Sequence, residues 1–317
     1  MVSSALFLLP LFILFSPTVS LGVDSIRNYQ VVFRPFTKGE QTFIAIRTFE
    51  RNGLARILTV HTDTLETTEL DANQHFLLPS NESWKASLFY KLLLEATSPP
   101  CPLQNDGLSR ANHSGFGSYL TIDMCPSRKS FEKRLFEKLA ELGKKRKDAL
   151  PVAIAITGTW LLKHGQHFSY ITSLINEKQI QVTWINHSFN HPYYPGKALD
   201  KNFLLASGTN FDEEVLKVEI LLLERNLLPS VFFRFPGLVS SCALISRLLD
   251  FSLIPIGSQA WLAKGEKVKE GSIILLHGNG NEGAGISIFL DLLQTRENDF
   301  LLGKFKLRSL REAFLGS

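Results

Sequence analysis

The chain has 317 residues, enough for one large domain or two smaller ones. Its hydrophobic share of 44% and charged share of 20% exclude a disordered chain. The net charge is only +4, and the basic cluster KKRK at 144–147 is expected to be the solvated end of a helix, so we expect no nucleic-acid partner.

The N-terminus carries an apolar run, residues 5–15, with the length of a signal-peptide core. The run is too short to span a bilayer as a helix, and small residues follow it, with cleavage edges at Ser20 or Gly22. We therefore expect residues 1–22 to be a signal peptide and the protein to be exported, either to the periplasm or out of the cell. No Lys or Arg precedes the run, so a buried element of the fold and an uncleaved membrane-anchoring leader stay open as alternatives.

Residues 23–115 predict a small β-rich region that ends in a linker. Short runs rich in β-branched residues predict strands at 29–33, 41–49 and 55–62. A helix is predicted over 83–96, with Ser83 in the capping position. The stretch 97–117 is rich in Pro, Gly, Ser and Asn, which predicts a loop or linker.

From residue 116 to 317, apolar strands alternate with amphipathic helices. Strands are predicted at 118–123, 150–157, 180–185, 230–235, 251–256 and 272–277, and helices at 127–145, 167–178, 211–227, 242–250 and 285–296. Continuous apolar strands separated by helices imply a parallel sheet that is covered on its outer face. About six such units favour an α/β fold of the distorted (β/α) barrel type, with a doubly wound sheet as the alternative.

The three cysteines are Cys101, Cys125 and Cys242, so at least one has no partner within the chain. Their spacing is neither that of a disulfide framework nor that of a zinc finger. Cys101 could pair with Cys125 in an oxidising compartment, but buried free thiols are the expected state.

Polar side chains that can do chemistry stand where four of the predicted strands end. They are Asp123, the pair His187 and His191, Arg234 and His277. In a (β/α) barrel the active site forms at the C-terminal ends of the strands. We therefore expect these five side chains to share one rim of the barrel.

The chemistry open to such a set is metal-assisted hydrolysis of an amide or ester. Two imidazoles at i and i+4 on one face of a helical turn can bind a divalent metal, which lowers the pKa of bound water and polarises a carbonyl oxygen. Asp123 could take the proton from that water, and His277 could protonate the leaving group. Arg234 could hold Asp123 ionised by charge pairing.

The order of these motifs resembles a known family. Residues 118 to about 280 are similar to the NodB-homology domain of polysaccharide deacetylases, which form carbohydrate esterase family 4. The similar segments are LTIDMCPS (120–127), TGTWLLKHGQHF (157–168), HSFNH (187–191), FFRFPG (232–237) and IILLHG (273–278). The resemblance covers about half of the chain.

The resemblance implies a fold and an activity. The fold is a distorted (β/α) barrel of the NodB-homology type. The activity is hydrolysis of N-acetyl groups, or in some members O-acetyl groups, of an envelope or extracellular polysaccharide. By this resemblance Asp123 is the catalytic base, His277 is the catalytic acid, and Arg234 is the partner of Asp123.

The resemblance also implies a cofactor and a substrate pocket. His187 and His191 would be ligands of a divalent metal, with zinc as the expected ion. Trp261 would wall the acetyl pocket beside Leu275. The backbone N–H near Gly237 would join the metal in stabilising the oxyanion.

Two departures from the family pattern leave alternatives open. Met124 stands where the family has a second aspartate that binds the metal, and a thioether is a poor ligand for zinc, so the third ligand would be Asp123 or an unidentified side chain. Gly257 and Ala260 stand where the family has aspartates, so His277 is expected to lack a carboxylate that orients it. The alternatives are a catalytically impaired carbohydrate-binding protein and an amidase that acts on a small non-carbohydrate substrate.

Overall fold

The computed structural model describes residues 24–74, 76–77, 82–112 and 117–315. The apolar run at 5–15 and the predicted signal peptide lie outside the described residues. Among the residues that are described, no helix is long and apolar enough to cross a membrane.

The N-terminal region forms a four-stranded antiparallel sheet in the order β1-β2-β3-β4. Its strands are β1 (Ile26–Lys38), β2 (Gln41–Arg51), β3 (Leu54–His61) and β4 (Thr67–Asp71). Asn52 and Gly53 join β2 to β3 with positive φ angles of 51° and 80°, the backbone that a two-residue hairpin turn needs. The three predicted strands are confirmed, and β4 is an addition to them.

The first helix, α1 (Leu88–Ala96), begins later than predicted. Residues Ser83–Ala86 form a separate 3₁₀ turn. Ser87 then adopts an extended backbone, and its hydroxyl accepts the Tyr90 N–H at 3.4 Å. The helix cap is therefore Ser87 rather than Ser83, because the extended residue interrupts the helix between the two serines.

The rest of the chain confirms the predicted α/β barrel in an open, curled form. Seven parallel strands lie in the order β10-β11-β5-β6-β7-β8-β9. The strands are β5 (Tyr119–Met124), β6 (Leu150–Ile156), β7 (Ile180–Asn186), β8 (Pro229–Phe233), β9 (Ile254–Pro255), β10 (Ala260–Trp261) and β11 (Ile273–His277). The helices are α2 (Lys133–Arg146), α3 (Gly158–Lys163), α4 (Gly165–Asn176), α5 (Phe211–Leu223), α6 (Cys242–Asp250), α7 (Gly283–Thr295) and α8 (Glu297–Leu301).

Strand β5 shows how the alternation of side chains builds the site. Leu120, Ile122 and Met124 are buried in the hydrophobic cluster that also contains side chains of α2 and α7. Thr121 and Asp123 point to the opposite face, because successive side chains of a strand alternate. That inner face of the sheet carries the polar groups of the candidate site.

The described part of the predicted linker, residues 97–112, packs against the stretch of chain that leads from β9 to β11. Leu108 pairs with Ile256 in a parallel bridge, and Asn105 accepts the Ser258 N–H at 2.8 Å. The N–H of Ala111 donates to the carbonyl of Gly271 at 2.9 Å. The segment is therefore part of the barrel wall at the place where the sheet is open.

The cysteine prediction is wrong in part. Cys101 forms a disulfide with Cys242, at the start of α6, and Cys125 is the buried free thiol. The disulfide joins residues 141 positions apart and fixes the segment 97–112 to the barrel. Cys125 is not a partner for Cys101, because Cys101 is bonded to Cys242 and the Cys125 sulfur lies 3.4 Å from His187 Nε2.

A buried ion pair joins the small sheet to the barrel. Arg47 on β2 binds Glu219 on α5 through Nε at 2.7 Å and through its second terminal nitrogen at 2.9 Å, and both side chains are at most 1% exposed. The hydroxyl of Tyr29 donates to the same carboxylate at 2.8 Å. The predicted domain boundary near residue 115 stays a prediction, and this pair is one contact that crosses it.

We expect Glu219→Ala to lower the free energy of unfolding by about 3–5 kcal/mol, because it leaves the buried Arg47 charge without its partner. The matched control is Glu137→Ala, which removes an exposed i,i+4 partner of Lys133 and should cost at most about 0.5 kcal/mol. Chemical denaturation of both variants measures the difference. Equal losses of unfolding free energy in the two variants would show that the buried pair does not couple the N-terminal sheet to the barrel.

Candidate functional site

Asp123 and Arg234 form a buried ion pair, as predicted. Asp123 lies near the end of β5, and its Oδ1 accepts from a terminal nitrogen of Arg234 at 2.8 Å. The same nitrogen donates to the Thr121 hydroxyl at 2.6 Å, and the other terminal nitrogen donates to the Gly257 carbonyl at 2.9 Å. Burial raises the pKa of Asp123, but Arg234 and then the nearby histidines outweigh it and hold the pKa below its usual value.

His187 follows β7 and is fixed in one tautomer. Its Nδ1 lies 2.8 Å from the carbonyl oxygen of Arg234, so Nδ1–H must be the donor. Nε2 is then an unprotonated nitrogen when the ring is neutral, 3.6 Å from Asp123 Oδ2. This is the arrangement of a metal-binding histidine whose second nitrogen is held by a backbone carbonyl.

His191 lies beside His187, but the predicted helical turn between them is wrong. The segment is irregular, with positive φ angles of 67° at Ser188 and 50° at His191. The Ser188 N–H donates to the side chain of Asn186 at 3.1 Å, and the His191 N–H donates to the Ser188 hydroxyl at 3.2 Å. These side-chain bonds and Pro192 oppose a helix, yet the two imidazole rings lie 4.9 Å apart.

Cys125 completes a group of three possible metal ligands. Its Sγ lies 3.4 Å from His187 Nε2, and the ligand atoms of Cys125, His187 and His191 all lie within 4.8 Å of one another. Burial raises the pKa of the Cys125 thiol, but His191, His187 and His277 together lower it well below its usual value. One thiolate and two imidazoles suit zinc, and three protein ligands leave an open position as in catalytic zinc sites. The residues present therefore fit the expected metal.

Met124, which the sequence resemblance places at the family's second aspartate, lies outside the group of polar side chains in the site. Its side chain is fully buried in the hydrophobic cluster outside the sheet, close to Gly278. The sequence predicts Asp123 or an unidentified side chain as the third ligand, and Cys125 is the side chain that lies beside the two histidines. The signal that could have found it is strand alternation, since residues 123 and 125 share a face and 124 does not.

His277 has a carboxylate partner, which corrects the expectation that it lacks one. Its Nδ1 lies 2.8 Å from Glu282 Oε2, at ion-pair distance. The same oxygen accepts the indole N–H of Trp261 at 2.6 Å, which fixes the carboxylate. Burial lowers the pKa of His277, but Cys125 and Glu282 outweigh it and raise that pKa well above its usual value. His277 also pairs in register with Asp123 across β11 and β5.

The three predicted substrate-binding residues lie around these groups. The ring of Trp261 is 6.0 Å from the ring of His277, and Trp261 pairs in register with the buried Leu275. Gly237 follows β8 with a φ of 62°, and a Cβ there would lie 2.4 Å from the ring of Phe203. Their roles toward a substrate stay predictions.

Together the fold and the site define a class of protein: a curled parallel α/β barrel with a candidate metal centre between a buried carboxylate and a paired histidine. A search against the sequence models of known protein families finds no match to the chain. Among solved structures, the chain is similar to a family 4 carbohydrate esterase from Bacillus anthracis, at 16% identity and a TM-score of 0.47, over 71% of this chain and 91% of that one.

Two further structures are similar to the chain. One is a wild-type CE4 family pseudoenzyme from Bacillus anthracis, at 14% identity and a TM-score of 0.46, over 92% of this chain and 90% of that one. The other is the chitin deacetylase from the fungal pathogen Colletotrichum lindemuthianum, at 13% identity and a TM-score of 0.47, over 68% of this chain and 93% of that one. The esterase and the pseudoenzyme bear the name of the family that the sequence motifs resemble.

Proposed function

We propose that this protein is a metal-dependent deacetylase that hydrolyses N-acetyl or O-acetyl groups of an envelope or extracellular polysaccharide. The observation that carries the proposal is the convergence of three units at the C-terminal ends of the parallel strands. These are the ion pair of Asp123 with Arg234, the group Cys125, His187 and His191, and the contact of His277 with Glu282.

Each unit has a role in the proposed reaction. Asp123, kept ionised by Arg234, takes the proton of the attacking water. His277 holds a proton and gives it to the leaving nitrogen or oxygen of the sugar. Cys125, His187 and His191 would hold a zinc ion, which when bound supplies Lewis-acid polarisation of the acyl oxygen and lowers the pKa of water.

The pocket residues complete the proposal. Trp261 and Leu275 would face the acetyl methyl group, and the backbone N–H near Gly237 would stabilise the oxyanion. The half-exposed side chains of His191 and Trp261 mark the open side of the site. The disulfide between Cys101 and Cys242 supports export, because such bonds persist in oxidising compartments.

The experiment that tests the proposal is metal analysis of the purified protein together with acetate release from acetylated glycan oligomers. We expect bound zinc and acetate release in the wild type, and loss of both in His187→Ala. Acetate release that survives His187→Ala would refute the metal mechanism. Metal and glycan binding without acetate would favour a carbohydrate-binding protein, and faster turnover of small N-acyl compounds would favour an amidase.

Glu282→Gln is expected to lower kcat by about 10- to 100-fold with little change in KM, because the amide no longer pairs with the proton-donating form of His277. The matched control is Glu266→Gln, since Glu266 accepts the backbone N–H of Trp261 at 2.6 Å. Steady-state kinetics of both variants checks the prediction. Similar losses in the two variants would indicate a general effect on Trp261 and its loop, and no positioning role for Glu282.

A further inference from the structure

A pocket of about 380 Å³ lies beside the candidate metal centre. It is lined by Pro126, Ser127, Arg128, Thr159, Lys163 and His164. Pro126 directly follows Cys125, and the Thr159 hydroxyl donates to the carbonyl of Phe189, between the two metal-binding histidines, at 2.9 Å. The pocket therefore adjoins both chain segments that carry the candidate metal ligands.

The pocket is basic. The side chains of Arg128 and Lys163 are exposed and make no hydrogen bond or ion pair within the part of the chain that the structure describes. His164 adds an imidazole that stacks on Trp160, with the ring centroids 5.3 Å apart. None of the six lining residues is acidic. The two cations therefore face the pocket without a counter-charge.

Polar bonds hold the loop after β5, which carries Arg128 and forms one wall of the pocket. The Ser127 hydroxyl donates to Asn281 at 3.0 Å and accepts the Lys129 N–H at 3.0 Å. The side chain of Asn279 donates to the Cys125 carbonyl at 2.8 Å. These bonds tie the loop after β5 to the loop that carries Glu282. The pocket thus has a fixed position relative to the candidate catalytic groups.

We propose that this pocket binds an anionic group, a carboxylate or a phosphate, that the glycan substrate carries near the acetyl group to be removed. The inference rests on the proposed function and narrows the substrate to an acidic polysaccharide. The guanidinium of Arg128 offers a fork of donors that matches a carboxylate or phosphate, and Lys163 adds a point charge. A neutral acetylated glycan carries no anionic group that would form an ion pair with either cation.

Deacetylation kinetics give the first test. The substrates are a neutral N-acetylglucosamine oligomer and an oligomer of equal length in which alternate sugars carry a carboxylate. We expect the wild type to prefer the acidic oligomer by roughly tenfold or more in kcat/KM. The double variant Arg128→Gln with Lys163→Gln should lose that preference, because its KM for the acidic oligomer rises. The control, Arg27→Gln with Lys91→Gln, removes the same charge from exposed residues of β1 and α1 and should keep the preference. Equal kcat/KM for the two oligomers in the wild type would overturn the proposal.

Calorimetric binding, which needs no turnover, separates this proposal from the deacetylase proposal. Loss of acidic-oligomer binding in the pocket variant, but not in the control, supports the subsite even where no acetate is released. Inorganic phosphate alone serves as the second probe and should compete with the acidic oligomer. Phosphate that binds without competing, or equal binding of the neutral and acidic oligomers, would overturn the proposal.

Discussion

Cys125→Ala is expected to abolish stoichiometric zinc binding and to lower acetate release by about 100-fold or more. The alanine leaves His187 and His191 as the only members of the ligand group, and two imidazoles fall short of the three protein ligands of catalytic zinc sites. Metal analysis after dialysis, together with the rate of acetate release, measures both effects. The fold should persist, because the inner face around residue 125 keeps the ion pair of Asp123 and Arg234.

The companion variant is Cys125→Asp, which puts a carboxylate in place of the thiol beside His187 and His191. We expect it to restore metal binding in part and to shift preference toward harder divalent ions, since carboxylates suit them better than thiolates do. Ser in place of Cys125 should behave like alanine, because a serine hydroxyl is a weak ligand.

A different outcome would reassign Cys125. The thiol lies 3.4 Å from an imidazole, which is also the geometry of a cysteine nucleophile and its base. Activity that survives a chelator but is lost on thiol alkylation would show that Cys125 attacks the acyl carbon. In that case the metal assignment of His187 and His191 is wrong.

The barrel could be predicted because its strands are short, continuous apolar runs. The runs at 150–157 and 180–185 became β6 and β7 with errors of one residue at most. The convergence of Asp123, Arg234 and His277 followed from one rule, that the carboxyl ends of parallel strands meet at one edge. No local pattern was needed beyond the identity of the residue that ends each strand.

Other parts of the site depend on contacts that no local pattern encodes. The resemblance places the carboxylate partner of His277 before Trp261, at the positions of Gly257 and Ala260, but the partner in the structure is Glu282 in the loop after β11. A loop side chain can reach the ring from any direction, so spacing along the sequence does not reveal it. The place of residues 97–112 in the barrel wall cannot be predicted for a similar reason, because turn-forming residues predict irregular backbone and do not show where that backbone packs.

The largest kinetic effect that we expect for a single atom exchange is that of Asp123→Asn, a fall in kcat of about 10²- to 10⁴-fold. The asparagine oxygen can still accept from Arg234, but the amide cannot take a proton from water. Zinc content should not change, since Asp123 is not among the three candidate ligands that lie together. Stability should fall by up to about 3–5 kcal/mol, because the buried Arg234 loses its counter-charge.

The matched control is Asp148→Asn, an exposed aspartate that precedes β6 at the opposite edge of the barrel. It should leave kcat, zinc content and stability within experimental error of the wild type. The kcat, the zinc content and the stability of Asp123→Asn then separate the possible roles of the carboxylate. Slow turnover with full zinc content identifies a proton acceptor, whereas loss of zinc identifies a fourth ligand. Full turnover would place the base elsewhere and leave the ion pair with Arg234 as a purely structural contact, because a group that must accept a proton cannot be replaced by an amide without loss of rate.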